Sequence, residues 1–427
     1  MLDVGKCQAF QRLTRVAHPI YSPPQDVADR RGTALIAGIV GLVICAVGFL
    51  LDRDHFFRAY LIAYLFWLSI PLGSLALMMV HHQSGGAWGL VIRRIFEASS
   101  RTLPALAILF LPIVLGMGHL YPWTHADHVA ADEILQHKAP YLNTPFFLVR
   151  ALVYFATWIG LAWVLSKWSR RQDEGDLGAT RRMQLISGGG LVLYGLTVTF
   201  ASVDWMMSIN PHWFSTMFGF LAMGGQGLAA LAFAIVIATI LWRREPMHTV
   251  FNPGHFHDLG KLMLAFVMLW AYFNFSQYLI IYSGNLVEEI PYYVARTSHG
   301  WQYLALVLVV FHFAAPFALL LSRDLKRNAG RLVTIAIAIL VMRFVDFIFL
   351  VSPDFSASGA NMHLLPPAQP GEEAHVSHFF VHWLDLAAPL GIGGIWVWLF
   401  LTQLAERPLL PVRDPHLAEA LESAGSH

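Results

Sequence analysis

Two short stretches place a carboxylate where apolar residues dominate. At 202–211 the chain reads SVDWMMSINP, with Asp204 among Val203, Trp205, Met206 and Met207; at 345–353 it reads VDFIFLVSP, with Asp346 after Val345. Each Asp stands seven residues before a proline, Pro211 or Pro353. Other ionisable or strongly polar side chains interrupt apolar runs. These are Arg58, Arg150, His312, Arg343, His382 and Asp385, the end-of-run histidines His81, His82 and His119, and Gln277 and Tyr278 within the polar stretch 274–278. A charge in hydrocarbon costs about 2.5–3.5 kcal/mol on insertion scales, so each is expected to face other helices and find a partner there. Carboxylates, histidines and amides at several depths are the residue types of a proton relay, because burial disfavours a charged form and a neighbour can restore it.

Simpler readings stand beside that one. Arg343 and Asp346 are three apart, share a helix face, and can form a structural ion pair. His382 and Asp385 repeat the spacing where a pair at the wet interface is the plainer reading, and His81, His82 and His119 suit the interface too. His312, between two phenylalanines, suits a hydrogen bond to a neighbouring helix. Asp204 has no basic residue within a turn on its own segment, so its partner must come from another, and Arg150 is the natural candidate. Met207, Met217 and Met223 read as apolar packing and not as metal ligands. The two cysteines, Cys7 and Cys45, form no CxxC or CxxCH, which argues against c-type haem, thiolate zinc or iron–sulfur clusters in this chain. A dihaem b site needs paired histidines at two depths, and only His312 lies mid-segment.

The elements that carry these residues follow from composition. Over half of the 427 residues are apolar and 13% are charged, a balance that excludes an ordinary soluble domain. About 20 residues at 1.5 Å each cross a ~30 Å hydrocarbon core. Ten such segments are expected, at 32–51, 56–80, 103–120, 145–167, 183–208, 216–242, 262–283, 301–321, 331–351 and 378–404. The chain thus divides into an N-terminal tail (1–31, polar and unlike a cleavable signal), an all-α integral membrane domain (32–404) and a C-terminal tail (405–427).

Lys and Arg fall mainly on one side of this arrangement. Arg93, Arg94, Arg170, Arg171, Arg181, Arg182, Arg243, Arg244, Lys326 and Arg327 sit in loops on the side of both tails; the opposite loops hold Arg53, Lys138 and Arg296. The positive-inside rule then places both termini in the cytoplasm. Under that topology the fifth and ninth segments run in the same direction, with Asp204 and Asp346 at one depth, about 10 Å of helical rise before each proline. A four-helix offset predicts two related four-helix bundles, helices 2–5 and 6–9, with helices 1 and 10 peripheral. Such repeats are common where something crosses at the repeat interface.

Five blocks carry a resemblance to a known family: HHQSGGAWGLVIRRIFEASSRTLPALAILFLPI (81–113), YLNTPFFLVRALVYFATW (141–158), SVDWMMSINPHWFSTMFG (202–219), WAYFNFSQYLIIYSGNLVEEIPYY (270–293) and HFAAPFALLLSRDLKRN (312–328). Over roughly 56–351 the chain resembles the ActF-type membrane subunit of bacterial alternative complex III, within the wider NrfD/polysulfide-reductase membrane-subunit group. The resemblance implies a multi-pass subunit of a quinol:electron-acceptor oxidoreductase in a bacterial inner membrane, without a redox centre of its own, that supplies a proton route. It implies as partners a sister NrfD-like membrane subunit, an iron–sulfur subunit, multihaem and monohaem cytochrome c subunits, lipids and a terminal oxidase, and no nucleic acid. Haem c and iron–sulfur clusters would reside in those partners, and a quinol at the complex is an open alternative for this chain's surface. Matched by motif, Asp204 (SVDWM), Gln277 (FSQY), Arg150 (FFLVRAL) and His81 with His82 (beside GGAWG) are the residues it singles out. Two other readings compete: a proton-coupled secondary transporter, and a passive anchor for a redox enzyme. The loops 121–143 and 352–377 are expected on the outer side, the second as a docking surface for cytochromes.

Overall fold

The computed structural model of the chain describes residues 24–244, 247–355 and 379–417. Residues 1–23 of the expected N-terminal tail, Cys7 among them, the end of the C-terminal tail and nearly all of the 352–377 docking loop lie outside the described residues; the rest of the expected N-terminal tail is helical from Gln25 onward and opens the first span. Among the described residues, ten helices are long and apolar enough to cross a membrane. They are α1 (Gln25–Leu51), α2 (Arg53–Ser84), α3 (Ala87–Leu115, in successive pieces), α4 (Thr144–Glu174), α5 (Ala179–Trp205), α6 (Phe218–Trp242), α7 (Pro253–Gly284), α8 (Trp301–Leu321), α9 (Ala329–Val351) and α10 (Leu384–Ala405). The chain is a multi-pass, all-α membrane protein.

Two closed rings of four helices form the body. In the first, α2 packs on α3 and α5, α3 on α4, and α4 on α5; in the second, α6 packs on α7 and α9, and α8 on α7 and α9. The same pairing order recurs, with α2 matched to α6 and α5 to α9. Contacts of α2 and α5 with α6, and of α2 with α9, join the rings. Accordingly α2 is the most enclosed span, with 89% of its apolar window buried, and α6 follows at 67%. Helices α1 and α10 lie side by side, and α10 rests on α2.

Several boundaries differ from the sequence reading for identifiable reasons. The largest difference is α3: residues 87–102, read as a loop because of their charges, are mostly helix. Gly85 and Gly86, both at positive φ (67° and 92°), turn the chain from α2 directly into α3 in a conformation that glycine adopts without penalty. Arg93 and Arg94 are therefore not loop cations but buried helical residues. Helix α7 starts at Pro253 instead of 262, because Asn252 caps it: its Oδ1 accepts from the Gly254 and His255 amides at 2.8 and 3.1 Å. Helix α10 begins at Leu384, several residues later than expected.

Neither mid-depth proline breaks its span. Helix α2 continues through Pro71. Ahead of Pro316, α8 widens into a π-helical stretch, Leu308–Ala314, which accommodates the hydrogen bond that a proline cannot donate.

Glycines set the closest approaches. A methyl group added at Gly394 would lie 2.3 Å from the Gly38 backbone nitrogen, and one at Gly41 would lie 2.5 Å from that of Gly391. Backbone contact of this kind is how helices associate without a hydrophobic driving force between them.

Candidate functional site

Asp204 sits in the last turn of α5 and is fully buried. Arg150 of α4 holds it in a two-pronged pair, Nε donating to Oδ2 at 2.8 Å and Nη2 to Oδ1 at 2.9 Å. The Tyr154 hydroxyl donates to Oδ2 at 2.7 Å, and Arg150 spends its remaining Nη1 on the Tyr141 carbonyl at 2.9 Å. The rings of Tyr141 and Phe146 flank the guanidinium at 3.8 and 4.4 Å. Tyr141, just before α4, has its phenol pushed up by burial and by the Asp204 charge. The partner expected from elimination is the partner found.

The polar residues on the buried face of α5 form a file leading to this carboxylate. Ser187, Tyr194, Thr197, Ser202 and Asp204 are all buried on it. The Ser187 hydroxyl meets His82 Nδ1 at 2.9 Å. The Tyr194 hydroxyl donates to Gln226 of α6 at 2.7 Å, and Trp158 Nε1 donates to Thr197 at 2.9 Å. A cavity of about 30 Å³ lies between the rings, bordered by Ser202, Gln226, Trp158 and Trp205, room enough for a single water. Below the file, His81 and His82 are buried in the last turn of α2. They border a second cavity of about 60 Å³ with Arg93 and Asp414, and His81 Nδ1 and His82 Nε2 have no protein partner.

The second ring places Asp346 at the matching station, buried on α9. Its cation is Arg343, one turn away on the same helix, and Trp270 Nε1 of α7 donates to Oδ2 at 3.2 Å. Gly225 makes room for Arg343: a methyl there would lie 2.2 Å from the guanidinium. His312, in the π-helical stretch of α8, is fully buried and packs against Trp270, ring centres 4.0 Å apart and planes tilted by 41°. The expected hydrogen bond to a neighbouring helix is not made: both ring nitrogens lack a protein partner. No polar file on α9 leads to Asp346, since the buried face of that helix before Arg343 is apolar from Ala329 to Ile339.

The remaining expected residues divide. Gln277 is buried and accepts from the Ser215 hydroxyl at 2.9 Å while donating to the Tyr293 hydroxyl at 3.2 Å. Tyr278 instead points outward, stacked on Tyr282. His119 is at the surface, paired with Asp54. His382 and Asp385 meet through their backbone amides: that of His382 donates to the Asp385 carboxylate at 2.9 Å and that of Asp385 to the His382 carbonyl at 3.0 Å. The ring partner of Asp385 is His55 of α2 at 3.1 Å, and His55 also bonds Arg58 at 3.0 Å. Burial, then the proximity of His55, lowers the His382 pKa.

Two buried ionic clusters lie outside the residues that the sequence singles out. Asp354, read as a loop residue, is buried and accepts from Arg296 Nη2 at 2.7 Å and from Asn210 at 3.3 Å. Despite burial, the Arg296 charge is reinforced by Asp354. The second cluster is centred on Glu97 of α3. Arg93 Nε reaches it at 2.9 Å, Arg94 Nη1 at 2.6 Å and the Ser169 hydroxyl at 2.7 Å, while Arg93 also binds Asp414 at 2.9 Å. The spacing of Arg93 and Arg94 four and three residues before Glu97 is the sequence signal for it. Leu409, Leu410 and Asp414 are buried too, so the first part of the expected C-terminal tail is docked against the body.

Among the described residues, no group of three or more His, Cys, Asp or Glu is arranged to hold a metal ion. No family model matches the chain, and no curated protein matches it.

Proposed function

We propose that the chain is a membrane subunit of a quinol-oxidising respiratory complex of the alternative complex III type, and that its first ring conducts protons toward Asp204. The observation that carries the reading is the fully buried Asp204, locked to Arg150 and Tyr154, at the head of the polar file on α5. Buried carboxylates inside membrane segments mark proton and ion pathways. Protons would collect at His81 and His82, pass along Ser187, Tyr194 and Thr197 with water bridging the gaps, and wait at Asp204 before release past Tyr141. Successive polar residues from Ser187 to Tyr194 are about 10 Å apart along the helix, so transient hydration is part of the route. The positive-inside bias makes the His81 end cytoplasmic and the release outward. Electrons would be carried by partner subunits, with haem c and iron–sulfur centres there.

Asp204→Asn in the assembled complex tests the assignment. Redox-driven proton release should fall at least tenfold while the complex stays intact, as judged by its subunit composition. Unchanged release from an intact Asp204→Asn complex would overturn the route.

A further inference from the structure

At the end of the body where α4 finishes and the chain leaves α10, a groove of about 280 Å³ opens between α3, α4 and α10. Arg101, Arg170 and Arg407 line it, and Ile159, Ala162 and Trp163 form an apolar wall. Glu406 is the carboxylate at its edge. Two guanidiniums are tethered: Arg101 Nη2 donates to the Gln403 carbonyl at 2.7 Å and to Glu406 at 2.8 Å, and Arg407 Nη2 donates to the Ser166 hydroxyl at 2.8 Å. Arg101 Nε is buried without a partner. Arg170 is exposed and, among the described residues, paired with no carboxylate. Arg407 Nη1 also reaches the buried Glu97, which does not line the groove, at 3.4 Å. Three cations against Glu406 and a Glu97 already shared with Arg93 and Arg94 leave the groove positive, with fixed hydrogen-bond donors. Trp163, 63% exposed, extends the apolar wall onto the outer face of a spanning helix.

We propose that this groove binds the headgroup of an anionic phospholipid, its phosphodiester held by Arg170 and Arg101 and its first acyl carbons lying on Ile159, Ala162 and Trp163. Guanidinium forks match phosphate oxygens in two-pronged geometry. Basic pockets between spanning helices are where acidic headgroups settle, and Trp is enriched at headgroup depth. A free phosphate would satisfy the arginines and leave the apolar wall unused; a neutral lipid would do the reverse. The combination selects a ligand with both parts. Because the groove is remote from Asp204 and needs no partner subunit, the proposal does not depend on the respiratory reading.

The test uses the full chain in non-ionic detergent, titrated with phosphatidylglycerol, with phosphatidylcholine and with inorganic phosphate, retained lipid being read by native mass spectrometry and all three ligands by the shift in unfolding temperature. Phosphatidylglycerol should be retained in clear preference to phosphatidylcholine. Arg170→Gln, at an exposed position, should weaken phosphatidylglycerol about fivefold, the value of one cation near an acidic headgroup. Arg171→Gln, which alters a side chain stacked on Trp168 outside the groove, should leave it unchanged. Equal retention of the two lipids, or equal loss in both variants, would overturn the site. An unfolding shift from inorganic phosphate as large as that from phosphatidylglycerol would overturn the lipid assignment in favour of a soluble anion.

Discussion

Arg150 and Arg343 neutralise carboxylates at matching stations by different routes, one from a neighbouring helix and the other from the same one. The difference matters for what a mutation leaves behind. Removing the cation from a buried pair strands the anion, and breaking such pairs typically destabilises by about 3–5 kcal/mol, whereas replacing both partners with apolar groups is often neutral. Arg150→Ala is therefore expected to lower the unfolding temperature in detergent markedly, and Arg150→Met combined with Asp204→Leu should recover most of it. A single variant as stable as the double would show that Asp204 is compensated without Arg150. This pair was legible in the sequence because elimination left one candidate within reach. Asp354 was not: its cation, Arg296, is 58 residues away, and a carboxylate just past the end of an apolar segment reads as loop. The partnership of His55 with Asp385, 330 residues apart, is likewise invisible to local spacing. Tyr278 and His312 show what position along a segment leaves open: it does not say which way a side chain points or what it finds there.

At the scale of elements, apolar length identified all ten spans, because hydrocarbon thickness fixes how many residues a crossing needs. Charge misled where charges are internally compensated: Arg93, Arg94 and Glu97 neutralise each other inside α3, and what looked like a polar loop is a helix with an ionic face. Caps and glycine turns, being single-residue devices, set ends that hydropathy cannot. The pairing of α1 with α10 depends on such single residues. Gly394→Ala places a methyl against the Gly38 backbone, and overpacking of this kind destabilises by about 1–3 kcal/mol. By contrast, a methyl at Gly160 in α4 meets nothing within 4 Å, so Gly160→Ala should be neutral or stabilising from helix propensity, worth up to about 1 kcal/mol. Unfolding temperatures of the two variants should move in opposite directions or differ by several degrees. Equal values would mean that α1 yields to the methyl by sliding along α10.

For the whole molecule, the repeat of pairing order in two rings was legible from one clue, the shared Asp-to-Pro spacing on α5 and α9. What the clue did not reveal is that the rings have diverged inside. The first has a polar file, histidines and small cavities leading to its carboxylate; the second reaches its own through an apolar stretch of α9. A route in one ring, with the other as buttress, moves protons only if something else supplies the energy, and in the proposed reading that is electron transfer in bound partners. Such coupling requires a partner held in fixed geometry, so the association must survive gentle extraction. Purification of the tagged chain from its native membrane in mild detergent should therefore bring cytochrome c and iron–sulfur polypeptides in stoichiometric amounts, detected by mass spectrometry and by the haem absorbance of the preparation. A chain that purifies alone, stable and colourless, and that moves protons with a solute when placed by itself in liposomes, would reassign the α5 file to a transporter, whose driving force is a gradient and whose work needs no second subunit.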